Sequence, residues 1–255
     1  MFKLNRVLGG VLLALTCIAV PMARADDEKP VHLLVKPKMG HVTHNKSVVK
    51  TSVMGMELII TSIDKDTVKE VKENGDVVNE SIHESGTISV GGKEQEQPVT
   101  PATTKTHDKF GKLKDYKGKD NSGFTTPEID AIMESITTLI LTDKPVKTND
   151  TWETELDNPA VKEKKVVVKG TYLGTEKIDG KDYWKIKQTT EAVVDTDGSK
   201  IGYDFTEWID PANGDTLKSE GTVKDVPSQF GALTLHVSTK AVKADSKDKP
   251  EPAKP

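Results

Sequence analysis

The spacing of turns between residues 165 and 242 is what most limits the possible folds. Asp179-Gly180, Asp197-Gly198 and Asn213-Gly214 punctuate this stretch. Asp-Gly and Asn-Gly pairs accept the positive φ that tight hairpin turns require. Five segments lie between and around them: 165–173, 183–194, 200–209, 215–223 and 232–242. Each is strand-length and rich in β-branched or aromatic residues. Strands joined by such short turns must run antiparallel, because a parallel pair needs a crossover of a dozen or more residues. The second half therefore predicts an antiparallel meander.

One helix interrupts the β pattern, in TPEIDAIMESITTLIL. Thr126 suits the cap and Pro127 the first helical position. Ile129, Ile132, Met133, Ile136 and Ile140 recur at helical spacing and form one apolar stripe. Pro145 closes the segment, so the helix is expected over 127–141. A lone amphipathic helix among strands buries its stripe on a sheet.

The first half also reads as β. A short strand is expected at 32–36, and a long β stretch at 41–63 with Gly55 as a bulge or turn. Segments 67–72 and 77–82 pair across Asn74-Gly75. Another strand at 87–90 ends at Gly91-Gly92, residues 93–102 form a polar loop, and 103–108 and 112–116 make a hairpin around Phe110-Gly111. The expected fold class is mainly β (α+β): a curved antiparallel sheet or half-barrel with one amphipathic helix packed on it. The expected domain is 26–242. Its lobes, 31–120 and 146–242, are joined by helix 127–141 and form either separate sheets or one.

Residues 1–25 carry the marks of a secretory signal. Lys3 and Arg6 precede an apolar run from Val7 to Val20, and Ala23-Arg24-Ala25 fits a cleavage site. Cys17, the single cysteine, lies inside that run in a poor lipoprotein box, so plain cleavage after Ala25 is expected and the chain is read as exported to the periplasm or outside. The mature chain then has no cysteine for a disulfide, and its stability must come from a core. It also has no arginine, since both precede the cleavage point. The formal charge of the whole chain is −4, with 40 acids against 36 Lys and Arg. Without arginine forks and with an acidic balance, nucleic-acid binding is not expected. Beyond the leader no apolar run is long enough to cross a membrane as a helix. Residues 243–255 are charged and Pro-rich and read as a disordered tail.

The stretch TEWIDPANGDTLKSEG, residues 206–221, is a hairpin around Asp210-Pro211-Ala212-Asn213-Gly214. Side chains alternate along a strand. Tyr203, Phe205, Glu207 and Ile209 therefore share one face, and Trp208 lies on the other, otherwise polar, face. Trp208 either covers a neighbouring edge or helix end, or rims an apolar cavity. Trp184 alternates with Tyr183 and is expected inside with Ile186. Trp152, Trp184 and Trp208 all fall in the second half, which places the larger core, or any cavity, there.

This hairpin and the strand–turn–strand VVVKGTYLGTEKIDGKDYWKIK, residues 166–187, resemble those of periplasmic half-barrel proteins of the lipoprotein-carrier type. The resemblance covers roughly residues 146–242. It implies a cleft between helix and sheet able to take an acyl chain. Ile132, Ile136, Trp184, Phe205 and Trp208 are the cleft candidates. The chain departs from such carriers in having one clear helix and no arginine for a head group.

Other motifs point to no chemistry. His41-x-x-His44 would face opposite sides of a strand, which spoils chelation. Ser47-x-x-Lys50 lacks the partner motifs of its enzyme class. GTISVGGK at 86–93 misses the phosphate-loop pattern, and Asp195-Thr196-Asp197-Gly198 lacks the later glutamate of a calcium loop. His107-Asp108 has no designated nucleophile. Asn45, Asn79 and Asn149 begin sequons. The expectation is an exported, non-catalytic envelope protein that acts through binding or protein contacts, or alternatively a carrier or sensor of a lipid acyl chain. No cofactor, metal or catalytic residue is expected; the sequence leaves the partner unidentified, with a lipid and an envelope protein as the candidates.

Overall fold

The computed structural model of the chain describes residues 29–118, 127–195 and 197–243, with the backbone alone for 127–131. The expected leader with Cys17, the cap Thr126, the Ile129 side chain and all but the first residue of the expected tail lie outside the described residues.

The described residues form one curved, open antiparallel sheet of twelve strands and one helix. The strands are β1 (Val42–Val53), β2 (Met56–Val71), β3 (Val77–Val90), β4 (Lys93–Glu96), β5 (Thr103–His107), β6 (Leu113–Lys117), β7 (Thr151–Asp157), β8 (Lys165–Ile178), β9 (Lys181–Val193), β10 (Lys200–Ile209), β11 (Thr216–Ser228) and β12 (Gly231–Val242). Helix α1 (Pro127–Thr137) lies between β6 and β7. The order across the sheet is β6-β5-β3-β2-β1-β12-β11-β10-β9-β8-β7, with β4 paired to β3 alone. Strands β7 to β12 follow one another as the turn spacing predicts. Pairing of β1 with β12 joins the halves into one sheet, Val49 opposite Val237 and Ser47 bonded to Thr239 at 2.9 Å.

Several sequence expectations change. Residues 32–36 are not a strand. They belong to an extended strap anchored by a bridge between Val31 and Val146. Leu33 of this strap is fully buried. The β stretch at 41–63 is two strands around a turn at Met54-Gly55, both with positive φ. The supposed loop 93–102 begins with β4. The helix stops at Thr137, four residues early. Beyond it the backbone finds other partners: Ile140 N–H donates to the Gln188 side chain at 2.8 Å, and Leu141 N–H to the Phe110 carbonyl at 2.8 Å. The apolar stripe continues past the helix, and Ile140 is buried at 1 % exposure without being helical.

The register explains where the core sits. On the face that carries the helix, here the inner face, β8 to β11 present Val166, Val168, Ala192, Ile201, Tyr203, Phe205 and Val223. Ile132, Ile136 and Ile140 pack onto them in one cluster. The same face of β1 to β3 presents Thr43, Asn45, Asp64, Asp66, Ser81 and His83, which pair across the ladders. Further along the same strands this face turns apolar, with Val49, Ile60 and Ile88, but the helix packs on the first set. Ile136→Ala is expected to cost about 2–5 kcal/mol, because the side chain is fully buried in a packed interior. Guanidinium unfolding of the purified variant reads this directly.

A second cluster closes one end of the sheet. Leu33, Leu141, Val146, Tyr172, Trp184, Ile186 and Ile209 form it. Two glycines permit close approach here. Gly170 lies under the Trp152 indole, where a Cβ would stand 2.2 Å from the ring. Gly214, at φ +85°, lies against Val35 of the strap, where a Cβ would be 2.8 Å away.

Candidate functional site

The five residues expected to line a cleft are not brought together. Ile132, Ile136 and Phe205 belong to the helix–sheet cluster, at 0, 0 and 5 % exposure. Trp184 belongs to the second cluster. Trp208 is on the outer face, with Lys185 and Lys218 stacked on its ring at 4.9 and 3.8 Å. These two lysines are its cross-strand partners in the register. Trp208 therefore neither covers the helix end nor rims a cavity with the other four; it is buried beneath two lysines of the neighbouring strands. Its buried Nε1 makes no hydrogen bond within the protein, and nearness of the indole, ahead of Lys185, holds the Glu176 carboxyl below its ordinary value.

The space lies elsewhere. A cleft of about 630 Å³ runs between the flank of α1, the inner face of β1, β2, β3 and β5, and the β10–β11 turn. Its floor is apolar, with Val68, Val77, Leu139, Leu141 and Ile209 among the lining residues. Its walls are polar, because the strands of the first half present polar side chains inward. The expectation that a cavity would fall in the second half is thus corrected for this cleft, since most of its lining comes from the first.

Three polar groupings shape the cleft. At one mouth, His41 Nε2 lies 2.7 and 3.0 Å from the two Asp215 oxygens, and Asn213 Nδ2 donates to Asp215 at 2.6 Å. This ties the β10–β11 turn to the start of β1. On the helix side, Lys105 of β5 pairs with Glu134 of α1 at 2.7 Å. On the β3–β5 wall, His107 stands opposite Val77, and Asn79 opposite Lys105. Buried His107 Nε2 and Asn79 Oδ1 have no hydrogen-bond partner in the protein. Burial, aided by the Lys105 charge, pushes the His107 pKa below its ordinary value, so its ring is neutral at pH 7.

The helix end is held at the back of this cleft by Gln188 of β9. Its Nε2 donates to the carbonyls of Ile136 and Thr138, both at 3.0 Å, and its Oε1 accepts from Ile140 N–H. Trp152 Nε1 donates to the Ile140 carbonyl at 3.1 Å. Nearby on the inner face, Glu207 is fully buried between Ile186 and Ser219 of the flanking strands. Burial pushes its carboxyl pKa up to about 8, and its Oε1 has no protein partner.

Two other depressions have less character. One of about 390 Å³ on the outer face is a dent over Gly202, walled by Lys169, Glu191, Asp204 and Lys224. Another, of about 630 Å³, separates the β5–β6 hairpin from β7 beside Phe110 and Trp152. Lys112 Nζ spans from that hairpin to the Glu155 carbonyl at 3.0 Å.

The motifs weighed in the sequence fall apart in space. His41 pairs with Asp215, whereas His44 faces Glu84 at 3.6 Å. Among the described residues no group of three or more His, Cys, Asp or Glu could hold a metal ion. Sequence reasoning missed the mouth formed by His41, Asn213 and Asp215, and the pair Lys105–Glu134. His41 and Asp215 are 174 residues apart, and no local pattern links them.

No protein-family model and no curated protein matches the chain. Among solved structures, a lipovitellin structure on lipid–protein interactions is similar at 10 % identity and TM-score 0.42, over 81 % of this chain. This chain spans 25 % of that one. A protein described as a lipoprotein from Parabacteroides distasonis is 11 % identical, with TM-score 0.36, over 84 % of this chain and 98 % of that one. One described as an exported protein with a YmcC-like fold, from Bacteroides fragilis, is 12 % identical, with TM-score 0.34, over 84 % and 100 %. Likenesses at these values carry nothing about a ligand.

Proposed function

We propose that the chain is an exported, non-catalytic binding protein of the cell envelope that holds a small amphiphile in the cleft beside α1. The observation that carries this reading is the cleft itself: about 630 Å³, with an apolar floor and polar walls. That volume and mixture are typical of small-molecule sites. The apolar residues of this site lie at the bottom of a concavity, as a small ligand requires. The acyl-chain expectation is kept and its place is moved. An alkyl chain lies along Val68, Val77 and Leu139, not beneath the helix, where Ile132, Ile136 and Phe205 fill the interior.

The site lacks the marks of a catalyst. Asp215 is held by His41 and Asn213, and Glu134 by Lys105, so these carboxylates serve as structural ties.

Native mass spectrometry of the purified protein tests the reading. An amphiphile is expected to remain bound through gentle desolvation and to be lost in Val68→Trp, where the larger ring fills the cleft from β2. Thermal unfolding confirms that the variant is folded. Bound amphiphile in a folded Val68→Trp protein, or no amphiphile retained even after incubation with a lipid extract, overturns it.

A further inference from the structure

The register lays a row of cations across the outer face of the sheet. Lys185 of β9 stands opposite Trp208 of β10, and Trp208 opposite Lys218 of β11. Lys218 then stands opposite Lys240 of β12, and Lys240 opposite Lys46 of β1. Neighbouring strands lie about 4.8 Å apart, so the row runs for about 19 Å at right angles to the strands. Lys218, Lys240 and Lys46 are like charges on consecutive strands, an arrangement that costs a ladder stability. A chain with a formal charge of −4 thus sets four of its lysines on one line.

The nearby acids do not cancel this line. Lys185 pairs with Glu176 at 2.9 Å, whereas Lys218 reaches Glu220 only at 3.8 Å. Lys240 and Lys46 have no ion pair among the described residues. Trp208 orders one end of the row, because the Lys185 and Lys218 ammonium groups lie 4.9 and 3.8 Å from its ring centre. The ring itself is 6 % exposed and offers no stacking surface to a ligand. On the next row of the same face, Thr206 and Ser238 add hydroxyl groups on either side of Glu220.

The shape of the row selects among anions. A single phosphate or carboxylate touches two strands at most. A flat anionic bilayer meets the outside of a curved sheet only at its centre, and the row has no exposed apolar side chain to anchor there. Single-stranded nucleic acid needs open aromatic rings for its bases, and Trp208 is roofed by lysines. An extended acidic polysaccharide meets both features. Its carboxylates recur along one line, where lysines serve as point charges, and its sugar hydroxyls reach Thr206 and Ser238.

We infer that the outer face of β9 to β12 and β1 binds an extended acidic polysaccharide laid across the strands, with Lys240 and Lys46 as its main contacts. This face is the reverse of the one that holds the cleft, and the inference does not rest on the amphiphile reading.

Calorimetric titration of the full mature chain with polygalacturonate at low ionic strength tests it. Binding is expected, although protein and polymer both carry net negative charge, and it should weaken as salt is added. Lys46→Gln and Lys240→Gln are each expected to weaken it about fivefold, and Lys240→Glu at least about tenfold. Lys93→Gln, on β4 and away from the row, should stay within about twofold of the parent. Urea unfolding separates binding from folding, since Lys240→Gln relieves a like-charge contact and should be at least as stable as the parent. No binding of polygalacturonate, equal binding of uncharged dextran, or unchanged affinity in both glutamine variants overturns the inference. Phosphatidylglycerol vesicles or single-stranded DNA bound through Lys240 in preference to polygalacturonate would overturn it as well, by giving the row to another class of partner.

Discussion

Replacing Gln188 by leucine lowers the unfolding free energy by about 3–5 kcal/mol, a large share of the total stability of a typical domain. The side chain is fully buried and makes three hydrogen bonds to the segment 136–140 that ends the helix. Leucine has nearly the same volume, so packing is largely kept. What is lost is satisfaction: two carbonyls and one N–H are left buried without Gln188, at about 1–3 kcal/mol for each that finds no substitute. Some relaxation of the frayed helix end recovers part of this, which keeps the figure below the full sum. Urea unfolding checks it. Hydrogen exchange adds the location, with faster exchange expected at Ile140 N–H. A Gln188→Leu protein as stable as the parent would mean that this side chain does not hold the helix end.

Near neutral pH the largest effect comes from Glu207. Its folded-state pKa is raised by burial from an ordinary 4.5 to about 8. A raised pKa means that the folded state keeps its proton after the unfolded chain has lost it. Stability from this group is therefore fully present below about 4.5 and is lost as pH rises toward 8. At 1.36 kcal/mol per unit, the loss between about pH 5 and pH 8 is about 3–5 kcal/mol. His107 acts in the opposite sense. Its pKa is depressed below an ordinary 6.5, so its contribution rises with pH up to that value. The window from 6.5 to 8 therefore isolates Glu207. Glu207→Gln keeps the shape and removes the titration. The parent is expected to lose about 2 kcal/mol across that window and the Gln variant nothing, read by urea unfolding at several pH values. Parallel pH profiles for the two proteins would place the Glu207 carboxyl in water.

The placement of Glu207 was legible in the chain, because alternation along 200–209 sets it on the face of Tyr203, Phe205 and Ile209. The same alternation put Trp208 on the polar side, and the structure finds it between two lysines. These succeed because a strand's period is a local property and the hairpin around Asn213-Gly214 fixes the register. The helix end was misjudged for a related reason. Its apolar stripe continues through Ile140, but Gln188, 48 residues further on, takes the Ile140 N–H that helix would have used. The cleft was the least legible element. Its walls join His41 to Asp215 and Lys105 to Glu134, contacts that exist only because β12 pairs with β1 and the sheet curves around α1. The tryptophans pointed to the second half; Trp184 and Trp152 mark a core cluster there, whereas Trp208 lies on the outer face. A cavity forms where side chains fail to fill space, as they do beside α1 over the polar stretch of β1 to β3 around Asn45, Asp66 and Ser81.

Photocrosslinking with an alkyl diazirine on an amphiphilic probe, followed by peptide mapping, tests the central claim most directly. Label is expected on β2, β3 and the segment after α1, at Val68, Val77, Leu139 and Leu141, and its yield should fall with excess unlabelled probe. Label on Ile132, Ile136 or Phe205, or label spread over the outer face without competition, would contradict a ligand seated in the cleft beside the helix.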